Sequence, residues 1–155
     1  IVNYDITDIF DILEKYDLGI CHDLARKRKN VSRLIPPYNK IPYCFPEVNP
    51  GVFVFKKCEL VDSFFKLWRS YFYKYYGVWP YEQPTFRVAL WESGINFYIL
   101  PPEYNIRSKQ NREKQRKFHH DFGADHLKER IFHMHHGKEI VEDALQHCID
   151  NYMPY

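Results

Sequence analysis

Residues 51–55 (GVFVF) constrain the fold most. Four consecutive β-branched or aromatic residues after a Pro50-Gly51 break predict a buried strand. Just beyond them, Leu60, Phe64, Leu67, Trp68, Tyr71 and Tyr75 recur at helical spacing. That pattern predicts a long amphipathic helix over residues 59–76, closed by Gly77 as a left-handed C′ residue. Such an aromatic stripe is more often core than ligand site. A strand feeding directly into a helix is the unit of layered α/β folds.

The same alternation runs along the chain. Residues 7–16 (TDIFDILEKY) predict a short helix with Thr7 as N-cap, and residues 18–21 (LGIC) a short strand. Residues 81–92 predict a second helix that tolerates Pro84 in its first turn and ends at Ser93-Gly94. Residues 95–100 (INFYIL) predict a strand stopped by Pro101-Pro102, residues 130–135 another short strand, and residues 139–152 a final helix. Between His22 and Gly51, Pro36, Pro37, Pro42, Pro46 and Pro50 punctuate the chain, which predicts a long, irregular surface excursion. The order predicts one α/β domain over residues 1–155, with three layers and a mostly parallel sheet. Parallel sheets bind ligands at the carboxyl ends of their strands. The residues to inspect are therefore His22-Asp23, the approach to Asn49, Asn105, and the histidines between His133 and His136.

Composition narrows the function classes. Apolar residues make up 45% and charged residues 27%, which excludes a disordered tail. The longest apolar run is far below the ~18 residues of a membrane-spanning helix, so no membrane segment is expected. No secretory signal is visible in IVNYDITDIF. The net charge of +2 selects no partner. Its distribution is uneven, because residues 26–33 and 107–117 are strongly basic. Two basic loops on an acidic body suit either plain solvation or a phosphorylated ligand. Cys21, Cys44, Cys58 and Cys148 form no CxxC pair or disulfide framework, and read as free thiols in a reducing, cytoplasmic setting.

Six segments in order carry a resemblance. They are residues 8–17 (DIFDILEKYD), His22-Asp23 after the first strand, and residues 46–52 (PEVNPGV) before the second. Residues 82–87 (EQPTFR) open a helix, residues 100–105 (LPPEYN) end a strand, and residues 133–137 (HMHHG) end another. Together these resemble the C-terminal part of nucleotide-diphospho-sugar transferases, glycosyltransferases of the GT-A fold. The resemblance spans nearly the whole chain.

It implies transfer of a sugar from a nucleoside-diphosphate donor to an acceptor hydroxyl on a sugar or protein. It also implies Mn²⁺ or Mg²⁺, held by a DxD pair and an imidazole of the last segment. His133 is the first candidate and His135 the second. Glu82 is then the catalytic carboxylate, with Gln83 on the sugar or acceptor. Asn49, Gly51 and Asn105 line the donor, and Lys138 neutralises diphosphate oxygens. The departures are specific. Asp5 and Asp8 are no DxD, so the nucleotide-binding half is expected before residue 1, where a leader would instead direct the protein to the Golgi lumen. Without that half the chain is expected to self-associate and to bind nucleotide weakly. Glu82 stands where the family has aspartate, and Pro50 follows Asn49 where it has a small residue.

Blander roles stand beside these. Glu82 suits a helix N-terminus on dipole grounds alone, Asn49 suits a turn with a locally bonded side chain, and Lys138 suits solvent. Other classes also compete. A nucleic-acid binder would use the basic loops, although the aromatics lie mostly on helical core faces, so nucleic acid is not the expected partner. A hydrolase would use His119, His120 and Asp121 with His133 and His135, but no second carboxylate cluster accompanies them. A truncated, inactive transferase-like domain is the third.

Overall fold

The computed structural model describes residues 2, 4–23, 29–106 and 130–133. The chain divides into two compact units, one of residues 9–100 and one of residues 1–8 with 101–155. Among the described residues, the first unit holds one three-stranded sheet of order β2-β1-β3, with β1 at Leu18–His22, β2 at Val48–Phe55 and β3 at Phe97–Leu100. The α/β class expected from the alternation is therefore present. The sheet is mixed, however: β1 runs parallel to β3 but antiparallel to β2. This corrects the expectation of a mostly parallel sheet.

Helices explain the difference. Helix α1 (Asp8–Asp11) leads into a 3₁₀ turn at Ile12–Glu14, and α2 spans Lys29–Leu34. Helices α3 (Glu59–Tyr75) and α4 (Gln83–Ser93) supply the main helical layer. The described part of the segment between β1 and β2 is not a crossover helix laid on the sheet. Val31, Ile35, Tyr38 and Ile41 instead form a small core of their own against Val88 of α4. The proline-rich stretch read as a surface excursion is thus anchored by buried side chains, and it returns the chain as an antiparallel strand. Residues 139–152, expected to be helical, lie outside the described residues.

Proline dictates the shape of β2. It begins three residues before the predicted strand, and Pro50 is tolerated because β2 lies at the sheet edge. Ile20 faces Phe53 while the next residue, Cys21, faces Asn49, so Pro50, Gly51 and Val52 are looped out of the ladder. The Asn49 Oδ1 accepts the Gly51 N–H at 3.0 Å across the proline. This is the locally bonded turn side chain weighed above.

The main core joins Leu18, Ile20 and Val48 of the sheet to Val61 and Phe64 of α3 and to Phe86, Ala89 and Leu90 of α4. Trp68 meets Phe86 edge-on at 4.8 Å, so the aromatic stripe is mainly core packing. Its buried line starts at Val61 rather than Leu60, which is 44% exposed. Helix α4 ends as expected at Gly94, whose φ of 66° is left-handed. Gly77 has no such φ; α3 stops instead where Val78 and Trp79 bond back to the Tyr75 carbonyl. The Tyr71 hydroxyl of α3 donates to Glu92 of α4 at 2.5 Å, and this bond, with burial, pushes its pKa up to about 12.

Gly19 shows how tightly the second sheet face is covered. A Cβ there would collide with the Ile12 side chain and sit 2.9 Å from Val54 Cγ1. The tip of Ile12 can give way, but the β-branched Val54 cannot turn freely. Gly19→Ala is expected to destabilise the chain by about 1–3 kcal/mol, read as a lowered urea midpoint at unchanged slope.

Cys21 offers a second test. Cys21, Cys44 and Cys58 are free thiols, while Cys148 lies outside the described residues. Burial pushes the Cys21 thiol up to about 12, whereas Cys44 is exposed. That shift cuts the Cys21 thiolate population roughly 10³-fold. With iodoacetamide at pH 8, Cys44 should alkylate promptly and Cys21 only on unfolding. Equal rates at both would contradict the packing described.

In the other unit, a 3₁₀ turn at Pro102–Tyr104 precedes a bridge between Ile106 and Phe132, and Ile131 bridges to Val2. The predicted strand at residues 130–135 is reduced, in its described part, to these isolated bridges. Tyr104 donates to Asp8 at 2.6 Å and Arg130 lies 3.6 Å from the same carboxylate. Burial first, then the Asp8 bond, pushes the Tyr104 pKa up to about 12.

Candidate functional site

The amino terminus of α4 and the end of the β1–β2 ladder meet in a buried polar group. Asp23 follows β1 and donates its N–H to the Glu47 carbonyl at 2.9 Å, which sets the two acids side by side. Gln83 and Arg87 lie four residues apart on α4, hence on one face. Gln83 Nε2 donates to the Asp23 carboxylate. One turn later, Arg87 Nε donates to the Pro46 carbonyl at 3.0 Å and Nη2 to the Phe45 carbonyl at 2.8 Å. The Glu47 carboxylate lies 3.5 Å from Nε and accepts the Tyr38 hydroxyl at 2.6 Å. The Arg87 guanidinium stacks over the Tyr38 ring at 4.9 Å. Arg87 and Glu47 are 1% and 7% exposed, so both charges are held by each other and by carbonyl dipoles, not by water.

Glu82 is exposed, next to this group, at the N-cap position of α4. Its backbone is already helical there, at φ −74° and ψ −30°, and its side chain makes no capping bond. The cap work falls to its carbonyl, which accepts the Phe86 N–H at 3.0 Å and the Thr85 hydroxyl at 2.9 Å. Asn49 is buried and bonded to Gly51, itself exposed on β2.

In the other unit, Asn105 and His133 come together. His133 Nδ1 lies 3.1 Å from Asn105 Oδ1, and the His133 N–H donates to the Ile106 carbonyl at 2.9 Å. An amide oxygen accepts, so in this pairing Nδ1 is the donor. A neutral imidazole with its second nitrogen tethered is the usual form of a metal-binding histidine. Its donor chemistry suits Mn²⁺, as a single ligand of a larger set. Among the described residues, no three His, Cys, Asp or Glu side chains converge on one point where an ion would sit. His135 and Lys138, like His119 and His120, lie outside the described residues.

No family model, curated relative or solved structure matches the chain. No helix among the described residues is long and apolar enough to cross a membrane, as the short apolar runs predict.

Of the residues singled out from sequence, Glu82 and Gln83 adjoin at the α4 start, Asn49 bonds Gly51, and Asn105 bonds His133. Arg87, Glu47 and Tyr38 were missed as a group. Arg87 sits in the otherwise apolar run from Phe86 to Leu90, four residues after Gln83, and a charge so placed signals a buried partner.

Proposed function

We propose that the chain is the C-terminal portion of a GT-A glycosyltransferase domain that moves a sugar from a nucleoside-diphosphate donor to an acceptor hydroxyl. The observation that carries the reading is the Asn105–His133 pair. Two residues from separate motif segments, 28 apart in sequence, meet at 3.1 Å, which supports a shared role for them at one site. Bound Mn²⁺ or Mg²⁺ would neutralise charge on the diphosphate leaving group.

His133 would be the imidazole ligand, with His135 as the alternative. Glu82 has a carboxylate unspent on capping. In an inverting reaction it would take the acceptor proton; in a retaining one it would face the oxocarbenium-like charge. Gln83 is oriented by Asp23 and would meet a sugar or acceptor hydroxyl with its amide oxygen. Asn49 and Gly51 would line the sugar from the looped-out part of β2, and Lys138 would neutralise diphosphate oxygens.

The test is a transfer assay on the polypeptide as its cell makes it. A panel of uridine, guanosine and cytidine nucleotide sugars is offered with Mn²⁺, with Mg²⁺ and with a chelator. Metal-dependent release of nucleoside diphosphate from at least one donor is expected. No turnover and no saturable binding of any donor would overturn the reading.

A further inference from the structure

We propose that the exposed face at the carboxyl end of α3 is a peripheral membrane-docking surface. It rests on an anionic lipid headgroup layer through Tyr73, Tyr76 and Val78, with Lys66, Arg69 and Lys74 around them. Docking of this kind is independent of the chemistry proposed above.

Residues 63–81 hold ten aromatics and three cations with no acid among them. Tyr73 is 67% exposed, and Tyr76 and Val78 are each 54% exposed. Lys66, Arg69, Tyr73 and Tyr76 follow one another at intervals of three and four, so they form one ridge along α3 and its C-cap. The rings on this ridge are held in place. The Arg69 guanidinium lies 5.8 Å from the Tyr73 ring centroid, and the Tyr76 ring meets Phe72 edge-on at 5.3 Å. Lys74 Nζ sits over the Tyr75 ring at 5.4 Å.

Balancing the helix dipole accounts for part of this pattern, since Glu59 and Asp62 sit in the first turn and Lys74 in the last. It does not account for two tyrosines and a valine left in water beside the cations. Among the described residues no carboxylate pairs with Lys66, Arg69 or Lys74, and Glu92 of α4 is engaged by the Tyr71 hydroxyl. Exposed rings bordered by unpaired cations complement an anionic lipid surface. Phenol rings sit at the headgroup level, and the cations meet the lipid charge. Three cations fall well short of the ~6–10 phosphate contacts of a strong nucleic-acid binder. A helix ridge is also convex, whereas a sugar or other small ligand takes a concave site.

The experiment sediments the full chain with phosphatidylcholine vesicles, with and without about 30% phosphatidylserine, at low and at high salt. The wild type should bind the anionic vesicles roughly tenfold or more tighter than the neutral ones, and salt should weaken that binding. Tyr73→Ser with Tyr76→Ser should lower it roughly tenfold, and Lys66→Gln with Arg69→Gln and Lys74→Gln roughly 10²-fold. All five side chains are exposed, so both variants should keep the wild-type urea midpoint. A wild type that ignores anionic vesicles would overturn the proposal. Binding that either variant leaves unweakened would do the same, and would belong instead to the basic residues 26–33 and 107–117. So would binding of single-stranded RNA that both variants lose while vesicles are ignored, which would give this face to nucleic acid.

Discussion

Arg87→Met should destabilise the chain by about 3–5 kcal/mol, among the largest effects of any single substitution here. The side-chain volumes are similar, so packing changes little. What remains is the Glu47 carboxylate, 7% exposed, with the Tyr38 hydroxyl but no cation. The carbonyls of Phe45 and Pro46 also lose their donors. A buried carboxylate stripped of its counter-charge and two orphaned carbonyls each carry a desolvation penalty. Arg87→Lys should recover only part of the loss, because an ammonium lacks the planar fork that serves two carbonyls at once. The double variant Arg87→Met with Glu47→Met should be less damaged than Arg87→Met alone, since it removes the stranded charge. A double-mutant cycle in urea measures that coupling. If Arg87→Met unfolds within about 1 kcal/mol of wild type, Arg87 does not hold α4 to the strand end as described.

The same arginine shows why part of the fold was legible in sequence and part was not. Local patterns carried through. GVFVF is strand, Gly94 stops α4, Pro84 sits in its first turn, and the α3 stripe is core. Each depends on neighbours within one turn or one strand. Partners that arrive from far along the chain were invisible. Arg87 bonds carbonyls 41 and 42 residues away, Gln83 reaches Asp23 across 60, and Asn105 meets His133 across 28. The prolines between His22 and Gly51 misled in a different way. They forbid a regular ladder, but they do not prevent Val31 and Ile35, four apart, or Tyr38 and Ile41, three apart, from burying a face. Irregular backbone was equated with surface, and the antiparallel return of β2 was lost with it. The one-residue slip from Leu60 to Val61 has a plainer cause. Leu60 and Val61 are both apolar, and periodicity alone does not say which starts the buried line.

If the chain acts as the sugar transferase proposed above, Glu82→Gln should lower transfer on the order of 10²-fold or more while leaving donor binding nearly unchanged. Glu82 shares its place at the start of α4 with residues that only cap helices, and a capping role would make the substitution a stability mutant. The geometry separates the two outcomes. The Glu82 side chain makes no capping bond, its backbone is helical, and the bonds at this end are accepted by its carbonyl, which glutamine retains. Only a dipole contribution remains to be lost, about 0.3–1 kcal/mol at an exposed position. A fall in kcat with an unchanged urea midpoint therefore assigns the carboxylate to the reaction. Glu82→Asp adds a check on reach. It keeps the charge on a side chain one methylene shorter, so it should keep far more activity than the amide if the carboxylate faces the reacting centre. Should Glu82→Gln instead transfer sugar at the wild-type rate, with a midpoint shifted by no more than the dipole term, the carboxylate is a helix-terminal charge. The proton acceptor must then be sought elsewhere, first at Asp23, whose carboxylate already receives the neighbouring Gln83 amide.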